Sequence, residues 1–272
     1  MKKKQADIKS SIKKNYGEIA QKGTSCCCSC GGNTAASVVS KGIGYTDQEL
    51  NAVPEGANLG LGCGNPVALA SIKPGETVLD LGSGAGFDCF LAAKRTGPTG
   101  KVIGVDMTPE MIARARNNAE KGGYQNVTFV QGEIEHLPVA DGAVDLIISN
   151  CVINLSTDKD AVFREAYRVL KVGGRIMVSD IVLLKELPPA IKKSVDAYVG
   201  CLSGAMLQQD YLAAIKAAGF QNIELLGSAV FPMEDMLNDP TAKAIAKDLK
   251  LTDAMLKSAE DCVVSAKIKA VK

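Results

Sequence analysis

The feature that most constrains the fold is Val78-Leu79-Asp80-Leu81-Gly82-Ser83-Gly84-Ala85-Gly86. A short apolar run enters a turn built on glycines, and Phe87 onward can be helical. Glycines allow a tight turn and let the backbone approach a ligand with no Cβ in the way. A short strand of this kind, apolar on both faces, belongs in a parallel sheet covered by helices.

The rest of the middle of the chain repeats that unit. Thr77–Leu81 is the first expected strand and Lys101–Asp106 the second. Thr108-Pro109-Glu110 opens a helix with an N-cap residue and a proline in its first turn, and Gly122-Gly123 closes it. Strands follow at Val127–Val130 and Val144–Ser149. Asp158 caps a helix running to Leu170, which Gly173-Gly174 ends, and Arg175–Val182 is the fifth strand. This β-α-β alternation predicts a parallel sheet with helices on both faces.

The two ends read differently. Ile8, Ile12, Tyr16 and Ile19 recur at helical spacing among lysines, which predicts an amphipathic first helix. Cys26-Cys27-Cys28-Ser29-Cys30 follows as a short flexible tract, and residues 33–64 carry one expected helix near Asp47–Ala52. After the fifth strand, residues 185–206 read as helical and carry Cys201. Gln208–Ala218 is a helix stopped at Gly219, and Asn222–Val230 is a strand. A polar helical stretch comes next. Cys262–Val271 alternates, with Val264, Ala266, Ile268 and Ala270 facing the core and Ser265, Lys267 and Lys269 facing water. It is therefore expected as an antiparallel strand at or near an edge. The division expected is 1–64 as N-terminal capping segment, 65–184 as core, and 185–272 as helical insertion plus the last two strands.

Composition removes several classes of function. The 31 basic and 30 acidic residues leave a net charge of +1, so no overall field attracts nucleic acid or an anionic membrane. No apolar run reaches the roughly 18 residues a membrane span needs. Lys2-Lys3-Lys4 is followed by no apolar stretch, so no secretory signal is expected and the location is read as cytoplasmic. Thiols stay reduced there and serve as ligands, catalysts or core residues. With one His against nine Cys, a site built on several histidines cannot form and thiol chemistry has ample material.

The glycine turn has three readings. A dinucleotide site is the first, but Gly86 comes too early for G-x-G-x-x-G, and Asp80 before the loop would repel a pyrophosphate. S-adenosylmethionine carries no phosphate and brings an ammonium group that a carboxylate suits. Asp106 ends the next strand, 24 residues after Gly82, where an acid can accept hydrogen bonds from ribose hydroxyls. A turn with no ligand is the third reading.

Asp80–Gly86, Asp106, Gly132-Glu133-Ile134-Glu135-His136-Leu137-Pro138, Asp141–Asn150 and Leu170-Lys171-Val172-Gly173-Gly174-Arg175 resemble, in order, the motifs of class I methyltransferases. The resemblance implies a Rossmann-like seven-stranded sheet with helices on both faces, here with an N-terminal extension and a helical substrate-site insertion. It implies S-adenosylmethionine as cofactor. Asp80, Gly82, Ser83 and Gly84 would hold its methionine part, Asp106 and Met107 the ribose side, and Ile134 and Glu135 the adenine. Asn150 completes that set.

Three cysteines fall where chemistry can occur. Cys63 lies in the glycine-loosened Gly62-Cys63-Gly64, and Cys151 follows the fourth strand at its C-terminal end. Ligands bind along that edge in open α/β sheets. Cys201 lies in the insertion that can fold over it. Cys89 and Cys262 read as core residues. A single cysteine is most often a small buried hydrophobe, so the case for the three is their joint placement near one rim.

Leu61-Gly62-Cys63-Gly64, Gly86-Phe87-Asp88-Cys89, Val105-Asp106-Met107-Thr108, Ser149-Asn150-Cys151-Val152-Ile153-Asn154-Leu155 and Cys201-Leu202-Ser203-Gly204-Ala205 resemble the arsenite methyltransferase family over about residues 59–206. Relatives often carry an aromatic residue where Leu61 stands. The resemblance implies that Cys63, Cys151 and Cys201 bind As(III), which the enzyme methylates. It also implies an N-terminal cysteine in arsenic entry or a disulfide step. Which of Cys26, Cys27, Cys28 and Cys30 corresponds stays open, as does a weakly metal-binding or non-functional tail.

The chemistry is coherent with few histidines. Trivalent arsenic is soft, prefers thiolates and keeps a lone pair that needs no deprotonation. Methyl transfer leaves it formally pentavalent, so glutathione or thioredoxin is expected as reducing co-reactant. Two other readings stand beside this one. One is a C- or O-methyltransferase of a quinone- or sterol-like small molecule. The other is a soft-metal-binding protein without catalysis.

Overall fold

A computed structural model describes residues 2–22, 33–187, 204–230 and 262–272. In chain order its elements are α1 (Lys2–Lys22), α2 (Asn33–Gly42), α3 (Asp47–Leu50), α4 (Pro66–Leu69), β1 (Thr77–Leu81), α5 (Phe87–Thr96), β2 (Lys101–Asp106), α6 (Pro109–Lys121), β3 (Val127–Gln131) and β4 (Val144–Asn150). After a 3-10 turn at Ile153–Leu155 come α7 (Lys159–Val169), β5 (Leu170–Leu183), α8 (Gln208–Ala217), β6 (Gln221–Val230) and β7 (Val263–Val271).

The seven strands form one sheet in the order β3-β2-β1-β4-β5-β7-β6. β1 pairs in parallel with β2 (Val78 opposite Val102) and with β4 (Val78 opposite Leu146). β7 runs antiparallel between β5 and β6. The chain therefore winds outward from β1 through β2 to β3, then returns to the other side of β1 as β4. That reversal opens a crevice at the C-terminal ends of β1 and β4, the place where open α/β sheets bind ligands.

Successive side chains on a strand point to opposite faces, and both faces of the central strands are buried. Val78, Leu146 and Ile148 pack with Phe90 of α5 and Ile112 of α6 on one side. Leu79, Leu81 and Ile147 pack with Phe163 of α7 and Tyr211 and Ile215 of α8 on the other. Full burial stabilises by roughly 1.5–3 kcal/mol per large apolar side chain, which is why the central strands read as continuous apolar runs.

The predicted first helix is present and packs by its apolar stripe. Ile12 is fully buried against Cys63, Leu155 and Ile181, and Ile19 and Ala20 pack on Met111 of α6. Among the described residues no helix is long and apolar enough to cross a membrane.

The structure corrects four local expectations. Gly173-Gly174 do not end α7; the helix stops at Val169 because Leu170 is already extended (ψ 141°). The two glycines instead form an irregularity in β5, between the pairs Val144–Leu170 and Leu146–Arg175, where Gly173 adopts φ +77° and the backbone bonds to Lys272. α2 is an additional helix that the sequence does not signal, since its Asn, Thr, Ser, Val and Gly residues are weak helix formers. The second face of β7 is only partly wet: Ser265 is buried and donates to the Cys63 carbonyl, because the N-terminal segment lies over it. Thr108 sits at the N-cap of α6 without capping it by its side chain; its amide bonds Asp106 instead. The Cys26–Cys30 tract, Cys201 with most of its helical reading, and the polar stretch after β6 lie outside the described residues.

Candidate active site

The glycine turn after β1 is shaped by what surrounds it. Gly82 adopts φ +68°, and a Cβ there would overlap Val152. The amides of Gly82 and Ser83 both bond the Val105 carbonyl, tying the turn to β2. Asp106 ends β2 beside it: Oδ2 accepts the Gly84 amide at 3.0 Å and Oδ1 the Thr108 amide at 2.8 Å. The Ser83 hydroxyl is buried in this turn with no hydrogen-bond partner among the described residues. A buried orphan of this kind costs free energy unless something completes it.

Two further carboxylates are enclosed beside the turn. Asp80 accepts from the Cys89 thiol at 3.2 Å, and desolvation, then the neighbouring charge of Asp88, drives its carboxyl well above the usual range. Asp88, on the first turn of α5, accepts from the Tyr45 hydroxyl at 2.6 Å and the Asn150 amide at 3.1 Å. Burial lifts it to about 6 against those two hydrogen bonds. Enclosed, electrostatically coupled acids call for a cation. The orphan Ser83 hydroxyl, the buried Asp80 and the oriented Asp106 together fit S-adenosylmethionine, whose ammonium and ribose hydroxyls need such partners.

Asn150 ends β4 and ties this acid cluster to the cysteine loop. Its Nδ2 lies within hydrogen-bonding distance of the Gly64 carbonyl (2.8 Å), the Tyr45 oxygen (3.0 Å) and Asp88, while its Oδ1 accepts the Cys63 amide at 3.0 Å. Gly62, at φ +114°, lets the loop come this close: a Cβ there would lie 2.7–2.9 Å from the Asn150 amide. Among the described residues Asn150 thus has four protein partners.

The loop delivers Cys63 to Cys151. The Cys63 thiol is buried and lies 3.5 Å from the Ser179 carbonyl. Cys151 is held in the left-handed region at φ +59°, its amide bonded to the same carbonyl at 2.8 Å. A non-glycine residue there costs of order 1–3 kcal/mol, and such strain clusters at functional sites. The two sulfurs and a carboxylate oxygen of Asp180 all lie within 4.8 Å of one another. Asp180 is buried at the end of β5's pairing with β4. Its Oδ1 accepts Asn154 Nδ2 (2.9 Å) and the Ile181 amide (3.0 Å), and its Oδ2 accepts the Tyr211 hydroxyl (3.0 Å). Desolvation lifts Asp180 to about 7, with those hydrogen bonds and Lys159 opposing.

Of the remaining expected residues, Ile134 and Glu135 are buried and Met107 is half-buried. Met107 packs with Ile12, Cys63 and Cys151. Ile134 is buried in the core. The Glu135 carboxylate accepts from Ser156 at 2.7 Å and pairs with Lys9 of α1 at 3.1 Å, so it ties α1 to the cleft. Cys89 and Cys262 are buried, as expected of core residues.

Sequence reasoning gives no site role to Tyr45, Asp88, Asn154, Asp180 or Tyr211. A signal exists for Asp180, a lone acid inside the apolar run Ile176–Leu183. None exists for Tyr45, which reaches Asp88 across 43 residues of chain.

A family model described as "Methyltransferase domain" matches residues 72–219. The chain is 49% identical over 226 residues to the arsenite methyltransferase of Halobacterium salinarum, covering 79% of this chain and 57% of that protein. It is 38% identical over 261 residues to the arsenite methyltransferase of Aquipseudomonas alcaligenes, covering 92% of this chain and 70% of that one. A solved arsenic(III) S-adenosylmethionine methyltransferase from Chlamydomonas reinhardtii superposes with a TM-score of 0.62 at 31% identity, covering 89% of this chain and 74% of that one.

Proposed function

The chain belongs to the arsenite methyltransferase family, and from that premise we propose that it methylates trivalent arsenic held by cysteine thiolates. The observation that carries the proposal is the approach of the Cys63 and Cys151 sulfurs at the switch point of the sheet, beside the acid-lined glycine turn. Cys201 is the third thiol of the proposed site. When bound, S-adenosylmethionine supplies an electrophilic methyl group, for which a three-coordinate arsenic lone pair is the nucleophile.

In this reading Asp80 holds the ammonium group, Asp106 the ribose, and Ser83 gains the partner it lacks. Cys63 and Cys151 bind arsenic, and thiol protons leave as they do when thiols take a metal. Asn150 fixes the cysteine loop against the acid cluster, so both ligands meet in a set orientation. Such placement can supply roughly 7–11 kcal/mol of the barrier. Ile12 and the Lys9–Glu135 pair keep α1 over the cleft and exclude water. Glutathione or thioredoxin returns arsenic to the trivalent state.

The test is S-adenosylhomocysteine production on adding arsenite with glutathione. Turnover that depends on arsenite, and is lost in Cys63→Ser and in Cys151→Ser, is the expected result. Turnover indifferent to arsenite or retained in Cys151→Ser overturns the proposal.

A further inference from the structure

The cluster at the C-terminal edge of β4 and β5 holds an oxygen donor beside its two sulfurs, and the cysteine chemistry does not use it. Asp180 is fully buried and hydrogen-bonded on three sides, with two donors on Oδ1 and one on Oδ2. A carboxylate offers about four acceptor sites, so the described residues leave one on Oδ2. Enclosing a carboxyl among Ile181, Tyr211 and the sheet is expensive, and a well-packed apolar residue is often neutral or better for stability. Folding alone gives no reason for an acid here. One of its two carboxylate oxygens lies within 4.8 Å of both Cys63 and Cys151 sulfurs.

We infer that Asp180 binds the hydroxyl group that arsenic retains when only Cys63 and Cys151 have engaged it. This rests on the arsenic reading above. Dissolved arsenite is arsenous acid, As(OH)3. Two thiols displace two hydroxyls: two As–S bonds form, two As–O bonds break, and each thiol proton leaves with a hydroxide as water. The product is a dithiolate with one As–OH. No electron changes hands. Soft arsenic takes the sulfurs, while the hard carboxyl accepts the remaining O–H hydrogen bond in the space beside them. Asp180 therefore makes a two-thiol site selective for inorganic arsenite over organoarsenicals, which keep no hydroxyl once two thiols are bound.

The test compares arsenite with phenylarsine oxide, which forms two As–S bonds and then has no hydroxyl. The protein is the full chain with Cys26, Cys27, Cys28, Cys30 and Cys201 changed to serine, leaving Cys63 and Cys151 as the pair. X-ray absorption of its arsenite complex should show two sulfurs and one oxygen around arsenic; three sulfurs overturn the inference. Adding Asp180→Ala should weaken arsenite binding at least tenfold and phenylarsine oxide less than twofold. An equal change in both ligands overturns the inference and leaves the thiol pair standing. Failure of the parent to bind either ligand overturns the thiol-pair reading too.

Discussion

Asn150 accepts the Cys63 amide through Oδ1 at 3.0 Å and donates to the Gly64 carbonyl through Nδ2 at 2.8 Å, so one side chain grips the loop on both sides of the cysteine. The same Nδ2 lies 3.1 Å from Asp88, and Asp88 stands beside Asp80. A single amide thus links the proposed cofactor acids to the proposed arsenic ligand, 87 residues away in sequence.

Asn150→Ala should lower arsenite-dependent turnover by on the order of 100-fold, the cost of misplacing a reacting group by about 1 Å. It also leaves the Cys63 amide without its partner, a loss of about 1–3 kcal/mol. Steady-state production of S-adenosylhomocysteine, with a denaturant melt of the same sample, reads both.

Gly62→Ala meets the same amide from the other side. The new Cβ lies 2.7–2.9 Å from Asn150 at φ +114°, so the loop must shift. Overpacking of this kind costs about 1–3 kcal/mol. Arsenite affinity should fall while S-adenosylmethionine affinity holds, and titration calorimetry with each ligand separates the two.

Asp80→Asn removes the proposed partner of an ammonium group. A hydrogen bond to a charged group contributes about 1.5–3 kcal/mol, so S-adenosylhomocysteine should bind roughly 10- to 100-fold more weakly. Methylthioadenosine, which lacks the ammonium, should bind unchanged. Equal loss of both would assign Asp80 to folding.

Asp88 makes stability depend on pH. Burial raises its carboxyl from 3.8 to about 6, so the folded chain holds this proton more tightly than the unfolded chain. The resulting contribution is fully present below about pH 4 and is lost as pH rises through 6. Denaturant melts should show a loss of stability from pH 4.5 to 7.5 in wild type and a smaller one in Asp88→Asn, where the buried Asp80 and Asp180 account for what remains.

The sequence by itself determined the alternation of strands and helices through the core. Thr77–Leu81 and Lys101–Asp106 were legible to the residue, because strands buried on both faces must be continuously apolar and their ends are marked by Gly82 and Asp106. The same local signals placed Asp80 before its glycine turn and Cys151 at a strand end. Local signals failed where neighbours in space set the outcome. Gly173-Gly174 carry a helix-stop pattern, but pairing with the chain end at Lys272 makes them part of a strand.

Only the tertiary structure decided what the cysteines meet. Cys63 and Cys151 converge because Gly62 and Gly64 let their loop press on Asn150 and Ser179. Asp180 joins them because β5 lies beside β4 in register, Ser179 opposite Asn150. Tyr45, Asp88 and Tyr211 reach their partners across tens of residues, through hydrogen bonds that exist only in a dry interior. Periodicity records which face of an element is buried; it carries no information about which polar groups from distant elements share that burial.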